Sequence, residues 1–499
     1  MASLNQQQIA PQWLADRLHD WPDGSGPMYL RLAGALERLL HRGEVHEGAR
    51  LPAERQLAAA LQVSRTTVAA AYEVLEDTRL VQRRHGSGTY ITGVNGPPPP
   101  APRESMLLRS LERNEIFDGL LDPPQDLLDF RAAALHDSDP LPESALQAMV
   151  GDLRSAGQQH GYVPAGLHDL RAIIAQRYTS SGLPTSAQEV LITSGAQQAI
   201  ALITMLHLRS DDRVVTECLT HTGAIDLFNA NGATIQTVPT IREGADLDAV
   251  IARLCQRPRM LYLVPSIHNP VGSVMPARNR RRLAAVLAEH PDVITISDDT
   301  LADTWRDRRP PPPLASYPGA EHVLHTGSVS KLLWGGLRIG WVRGPAPEIR
   351  RLARLKALSD LGTSIPAQLL AIQLLSLGGD YEDERRALIA RRGRHLESLL
   401  AQRLPEWTFT VPQGGLCLWI QLPGGSSARG LAIRAARHGV AIAPGSIQSP
   451  DGGHGDHIRL PYGHCESVLD QAVHRLAAAW AARQTAADSH GLEDLRVFV

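Results

Sequence analysis

Thr326-Gly327-Ser328-Val329-Ser330-Lys331 is followed, after three residues, by Gly335-Gly336-Leu337-Arg338-Ile339-Gly340. An apolar strand candidate runs out into small hydroxyl residues, a lysine follows, and an arginine stands seven positions later among glycines. Small side chains let a ligand approach the backbone. Ser328, Ser330 and Arg338 can hold a dianionic phosphate, the guanidinium as a bidentate fork. Lys331 can lose its proton and form an imine with an aldehyde, which no arginine in a protein does. The composition sharpens that choice: of 50 basic residues 48 are Arg, and the only lysines are Lys331 and Lys356. Lys356 falls in a helical run from Arg350 to Leu361 and reads as an ordinary helix residue.

Phosphate and aldehyde occur together in pyridoxal 5′-phosphate (PLP), whose enzymes also need a carboxylate at the pyridine nitrogen and a donor at the phenolic oxygen. Strand ends on either side of the lysine stretch offer both. Asp298 follows the apolar run Val293 to Ile296, where a carboxylate can face a pyridinium, and Asn269 follows Leu261 to Val264, where an amide can reach a phenolate. Ser194-Gly195-Ala196-Gln197-Gln198 joins the run Val190 to Thr193 to a helix. Free amides at that helix start, at Gly195 and Ala196, make a second phosphate ligand that the helix dipole favours. Strand candidates are Val190–Thr193, Arg213–Thr216, Thr234–Val238, Met260–Val264, Val293–Ser297, Val323–Thr326 and Ile339–Val342, with helical patterns between most of them. That alternation predicts a largely parallel α/β domain.

The chain around it has 499 residues, 43% apolar and 20% charged, with a formal charge of -2. There is chain enough for two or three domains and a large core, and a wholesale polycation is excluded. Cys218, Cys255, Cys417 and Cys465 are scattered, which argues against a disulfide framework or a structural zinc and fits a reducing compartment. The N-terminus lacks a basic-then-apolar leader, and the longest largely apolar run, Ala199 to Leu206 with Thr204 inside it, is far short of the roughly 20 residues that span a bilayer. A soluble, cytoplasmic protein with no membrane partner is expected. The segments read as a helical head over 27–92, a Pro-rich linker over 93–125 with Pro97 to Pro100 at its start, an α/β body over 126–485, and a polar tail over 486–499. Within the body the large domain is expected over about 160–345, with a small domain built from the flanking segments.

In the head, Pro52 can open a helix with Leu57, Ala58 and Leu61 on one face. After the turn Gln62-Val63, Ser64 is a good N-cap for a second helix carrying Val68, Ala71, Tyr72 and Leu75 at helical spacing. A helix–turn–helix presents the first turn of its second helix, here Arg65, Thr66 and Thr67, to the DNA major groove. Leu80-Val81 and Thr89 to Ile91 can flank a basic tip, Arg83-Arg84-His85-Gly86-Ser87-Gly88, that suits backbone phosphates. Residues 28–92 hold nine Arg and seven acidic residues, so affinity has to come from clustering of Arg55, Arg65, Arg83 and Arg84.

Pro52-Ala53-Glu54-Arg55, Ser64 to Val68 and Gly86-Ser87-Gly88-Thr89 together resemble the winged helix–turn–helix of GntR-type regulators. The resemblance implies operator contact by Arg55, Arg65, Thr67 and the wing around Gly86, with Ser64, Thr66, Arg83, Arg84 and Ser87 beside them. From about Asp129 to about residue 480 the ordered Gly-Ala-Gln turn, Asn-Pro-x-Gly turn, Asp298 and lysine loop resemble fold-type I, aspartate-aminotransferase-like PLP enzymes. There Arg459, in Ile458-Arg459-Leu460, matches the position that grips a substrate carboxylate. His221 stands where relatives stack a Tyr on the cofactor ring, and Thr300 where they place a Tyr on its phenolic oxygen, so cofactor binding is expected to be intact and transamination weakened. Tyr162 matches a residue that reaches a phosphate across a dimer interface.

Head, proline spacer and PLP body in one chain resemble the MocR subfamily of GntR regulators. That implies a multidomain fold, an α+β winged helix–turn–helix plus an α/β aminotransferase-like domain, in a domain-swapped head-to-tail homodimer. It also implies a PLP-responsive regulator of a double-stranded DNA operator. PLP held as an imine on Lys331 would act as effector or as the sensor of an amine or amino acid. The alternative is a PLP-dependent aminotransferase with an accessory head. No metal site is expected: Asp298, Asp299 and Asp303 lack a fourth ligand, and His454, Asp456 and His457 read as a solvated loop.

Overall fold

In the computed structural model of the chain, Ser64 accepts the Thr67 N–H at 3.1 Å, the N-cap bond its position predicts. The helix it opens turns Val68, Ala71, Tyr72 and Leu75 inward, all buried. It is α4 (Arg65–Asp77), preceded by α1 (Pro11–Arg17), α2 (Met28–His41) and α3 (Glu54–Leu61), and followed by the antiparallel hairpin β1 (Val81–Arg84) and β2 (Gly88–Ile91). The Tyr72 hydroxyl donates to the Pro52 carbonyl at 2.9 Å and ties α4 to the entry of α3. Leu51 N–H to Thr89 O and Ile91 N–H to Ala49 O add residues 49–51 alongside β2, widening the wing. α1 lies upstream of the head boundary expected at residue 27. It buries Leu14, and with Leu18 and Trp21 joins the same core.

The structure describes residues 9–18, 21, 28–41, 49–61, 63–77, 80–84, 88–92, 121, 126–136, 141–158 and 160–482. Gly86, Ser87, all but one residue of the 93–125 linker and the 486–499 tail lie outside them, as does the side chain of Arg84. The chain divides into two units, Met1–Ser105 and Met106–Val499.

The second unit begins with β3 (Leu128–Phe130), α5 (Glu143–Ala156) and α6 (His168–Ser180). Its main sheet then follows the predicted strands closely. They are β4 (Val190–Thr193), β5 (Arg213–Glu217), β6 (Thr234–Val238), β9 (Met260–Leu263), β10 (Ile294–Asp298), β11 (Leu324–Ser328) and β12 (Gly340–Arg343), with the small hairpin β7 (Thr240–Ile241) and β8 (Gly244–Ala245) beside them. Their order is β4-β12-β11-β10-β9-β5-β6. Only β12 runs against the others, pairing antiparallel with β4 and β11. The intervening helices are α7 (Ala196–His207), α8 (Thr222–Ala230), α9 (Leu247–Leu254) and α10 (Ala277–Leu287), with α11 (Ala346–Asp360) and α12 (Ile365–Ser376) after β12. Neighbouring strand residues serve opposite faces: Leu191 packs with Ile200, Phe228 and Leu352, whereas Ile192 packs with Leu170, Ile174 and Leu283. With helices on both faces, these strands are near-continuously apolar.

The long helix α13 (Gly379–Arg403) leads to β13 (Thr408–Phe409), β14 (Cys417–Gln421), α14 (Ala428–Arg437), β15 (Val440–Pro444), β16 (His457–Pro461) and α15 (Glu466–Ala481). These strands form a second sheet, ordered β13-β14-β16-β15-β3, in which β3 is the parallel edge partner of β15. The segment just after the proline linker is thus built into the small sheet.

Candidate functional site

Six strands of the main sheet share a direction, so their carboxyl ends lie at one edge, where α/β sheets bind ligands. Those ends lead to Ser194-Gly195, Glu217, Pro265 to Asn269, Asp298 and Ser328 to Lys331. β12 runs the other way, so its entry delivers Arg338 to the same edge. Lys331 is half-buried there, and its Nζ donates to the Ala133 carbonyl at 2.8 Å. Burial, helped by the positive charges of Arg459 and Arg338, lowers its pKa to about 8; Cys417 and Asp298 pull the other way. Lys331, Asp298, His221, Arg338, Arg459 and Cys417 are therefore electrostatic neighbours in the folded chain.

Asp298 ends β10 with both oxygens engaged. Oδ1 accepts from the Thr300 N–H at 2.9 Å and the Thr300 hydroxyl at 2.6 Å, and Oδ2 from the Tyr262 hydroxyl at 2.5 Å. A carboxylate offers about four acceptor positions, so Oδ2 retains one for a pyridine N–H. Thr300, expected at the cofactor's phenolic oxygen, turns its hydroxyl to the aspartate instead. Asp299 and Asp303, weighed as metal ligands, are bound by His325 at 2.6 Å and by Arg177 at 2.9 Å.

The phosphate side is a close-packed turn. Gly195 has φ +118°, and a Cβ there would stand 2.8 Å from Arg338 Nη2. A Cβ on Gly340 would stand 2.5 Å from the Gly195 carbonyl carbon. Arg338, itself left-handed at φ 52°, donates from Nη2 to the Ser194 carbonyl at 2.7 Å. Ser328 and Ser330 are buried with hydroxyls 2.7 Å apart, and the Ser330 N–H donates to the Ser328 oxygen at 3.1 Å. Backbone donors starting α7 at Ala196, two hydroxyls and a guanidinium converge on a cup that side chains at the two glycines would fill. These residues fit a phosphate.

His221 precedes α8. Its Nε2 lies 2.9 Å from Gln197 Oε1, and Gln197 Nε2 donates to the Gly223 carbonyl, so the imidazole must carry its proton on Nε2. Burial lowers its pKa to about 4, so a neutral ring stands beside Lys331 and Asp298. Arg459, on the middle of β16, is 5% exposed. Its Nη2 donates to the Arg131 carbonyl, its Nε is buried with no partner among the described residues, and with the Gln448 amide oriented to satisfy both neighbours Nη1 donates to Gln448 at 3.3 Å. A buried guanidinium with an unmet donor suits a carboxylate.

Asn269 is half-buried, and the next carbonyl, of Pro270, lies 3.5 Å from Cys417 Sγ. Tyr162 is 64% exposed, its ring 6.1 Å from that of His160, and is not gathered with the Lys331 group within one chain. Sequence reasoning missed the titratable groups beneath the site. Glu217 is fully buried, accepts the Val264 N–H, and lies 3.6 Å from the equally buried His268. Burial raises Glu217 to about 8 and lowers His268 to about 4. Their positions at strand ends are the available signal. Lys356, read as ordinary, is fully buried and ion-paired with Asp360 at 2.7 Å.

In the head, Arg55, Ser64, Arg65 and Thr66 are exposed and Thr67 is half-buried at the start of α4. Arg65 is 67% exposed, with Nε 3.1 Å from Glu54. Arg83 is drawn to the Ala69 carbonyl and to Glu76 and Glu54.

Residues 28–91 match the bacterial regulatory proteins of the gntR family, and residues 127–476 match aminotransferase class I and II. An uncharacterized HTH-type transcriptional regulator of Bacillus subtilis, YisV, is 29% identical over 487 residues, covering 95% of this chain and 98% of its own. Its counterpart YdfD is 30% identical over 464 residues, covering 90% of this chain and 95% of its own. The chain belongs to the MocR subfamily of GntR regulators. Both halves of this MocR protein thus have their counterparts in one regulator chain. Its body also resembles a solved structure, the α-aminoadipate aminotransferase LysN of Thermus thermophilus complexed with N-(5′-phosphopyridoxyl)-L-leucine, at 30% identity and a TM-score of 0.68 over 76% of this chain and 97% of that one. The MocR chain is a DNA-binding regulator with a PLP-type domain.

Proposed function

We propose that the PLP domain makes this regulator responsive to PLP, alone or together with an amine or amino acid, and that ligand occupancy changes how two DNA-binding heads are presented by a head-to-tail homodimer. When bound, the cofactor supplies an electrophilic aldehyde and a dianionic phosphate. Lys331 holds the amine that meets the aldehyde, Asp298 the carboxylate for the pyridine nitrogen, and Ser328, Ser330, Arg338 and the Gly195-Ala196 amides the phosphate. His221 covers the ring, Asn269 serves the phenolic oxygen, Arg459 takes an effector carboxylate, and Tyr162 serves the neighbouring subunit.

One observation carries the regulatory reading. Lys331 donates to the Ala133 carbonyl and Arg459 to the Arg131 carbonyl, so both ligand-binding cations rest on one short segment. That segment continues β3, the first strand after the proline linker. Ligands that take over either cation release a contact on the chain leading to the head, which gives them the differential affinity for two states that a switch requires. The test is DNA binding by anisotropy with and without PLP and amino acids on its own promoter region. Binding indifferent to PLP in all promoters tried sinks the proposal.

A second reading, amino-group transfer, is favoured by the completeness of the Lys331, Asp298 and Arg459 set. Robust turnover of an amino donor with a keto acid would establish it.

A further inference from the structure

We infer that Lys356 is a positioning residue for the phosphate cup, acting through Asp360 and Gln198. Its Nζ, with the side chain 0% exposed, donates to Asp360 Oδ1 at 2.7 Å and Oδ2 at 2.8 Å, one turn further along α11. Asp360 Oδ2 accepts from Gln198 Nε2 at 2.8 Å, and Gln198 Oε1 accepts from the Ser194 N–H at 2.8 Å. The Ser194 carbonyl in turn holds Arg338. Four links therefore run from a buried ammonium to both walls of the cup. Asp360 Oδ1 also accepts the Gly362 N–H at 3.0 Å, fixing the backbone that packs on Val163 next to Tyr162.

The charge balance requires the cation. Without Lys356, an unpaired Asp360 carboxylate one amide away from the cup would repel a phosphate dianion. Lys356 neutralises it while leaving a lone pair for Gln198. Arginine would bring five N–H donors to a site that presents one carboxylate, whereas an ammonium brings three. That accounts for the second lysine of the chain. A merely structural ion pair would weaken every ligand of the domain alike. A positioning role is specific to the phosphate.

The inference rests on the proposed use of the 194–196 turn for phosphate, so the experiment separates the two. Uptake of PLP and of pyridoxal, which lacks the phosphate, is followed by absorbance for the full chain, for Lys356→Met and for Gln198→Leu. The second variant leaves the Lys356–Asp360 ion pair in place and guards against a folding defect in the first. Expected is a loss of about tenfold or more in PLP affinity with pyridoxal changed by no more than about threefold, in both variants, one decade being about 1.4 kcal/mol. A PLP-to-pyridoxal ratio equal to that of the wild type in both variants overturns the inference. Wild-type chain that takes up pyridoxal as readily as PLP overturns the phosphate reading of the turn, and this inference with it.

Discussion

Lys331 Nζ lies 2.8 Å from the Ala133 carbonyl oxygen, two positions beyond the residue whose carbonyl holds Arg459. With its pKa lowered to about 8 by burial, roughly a tenth of Lys331 is uncharged at pH 7, against well under a thousandth for an ordinary lysine. PLP uptake, followed by absorbance in stopped flow, should therefore speed up tenfold per pH unit at first and level off above about pH 8. Lys331→Arg should take up none covalently, because a guanidinium keeps its proton. A rate flat from about pH 6 to 9 would contradict the low-pKa amine.

Arg459→Gln removes the guanidinium but keeps a hydrogen-bonding side chain. Charge-assisted bonds to a carboxylate contribute about 1.5–3 kcal/mol. Any amino-acid effect on DNA binding should shift to ten- to hundredfold higher effector concentration, with PLP affinity nearly unchanged. An equal loss in both would place Arg459 in the structural core instead.

Gly195→Ala places a methyl where φ is +118° and Arg338 Nη2 is 2.8 Å away. Strain of this kind costs on the order of 1–3 kcal/mol. The cup must open, and PLP affinity should fall by about tenfold or more while the melting temperature of the head is unaffected. Unaltered PLP affinity would show that the turn does not contact the phosphate.

Glu217 is held protonated by burial, with its pKa raised from 4.5 to about 8. The folded chain then binds a proton more tightly than the unfolded one, so this group's contribution is fully present below pH 4.5 and is lost as pH rises toward 8. The slope is up to about 1.4 kcal/mol per pH unit. His268 and His221, lowered to about 4, contribute in the opposite sense, losing stability as pH falls from 6.5 toward 4. Glu217→Gln keeps an acceptor for the Val264 N–H and removes only the acid. The stability of the variant relative to wild type should rise steadily across the Glu217 window in denaturant titrations at several pH values. A pH-independent difference would refute the raised pKa.

In the head, Arg55→Ala and Arg65→Ala should each weaken operator binding and reduce its salt dependence by about one counterion. Arg83→Ala should change the salt slope less, because Arg83 is less exposed than Arg65 and is held by the Ala69 carbonyl and Glu76 as well as facing Glu54. Equal slopes for all three variants would show that Arg83 swings free to reach phosphate.

The sheet is legible in the sequence because its strands are short apolar runs bounded by turn residues, and the observed ends fall within two residues of those expected at Val190, Met260 and Ile339. The helix–turn–helix is legible because Ser64 and the Val68, Ala71, Tyr72, Leu75 stripe each carry a local rule. Less visible is what depends on chain reversal or distance. α1 is only seven residues long, too short for periodicity to stand out. An outward hydroxyl is the natural expectation for Thr300, but the backbone after Asp298 folds it back within two residues. For Lys356, helical spacing is the only local cue. Burial of the whole side chain and the 162-residue sequence separation between Gln198 and Asp360 are properties of the packed fold.

Locking Lys356 into an ion pair leaves the folded chain with a single ε-amine able to react. Free PLP is an indiscriminate aldehyde that condenses with surface lysines of ordinary proteins. Here all but two of the cations are guanidinium groups, so background condensation is suppressed by composition, and on the proposed reading each chain takes up one PLP. The same subtraction concentrates vulnerability: a lysine-directed glycating agent that enters the body has Lys331 as its one unpaired ε-amine to modify.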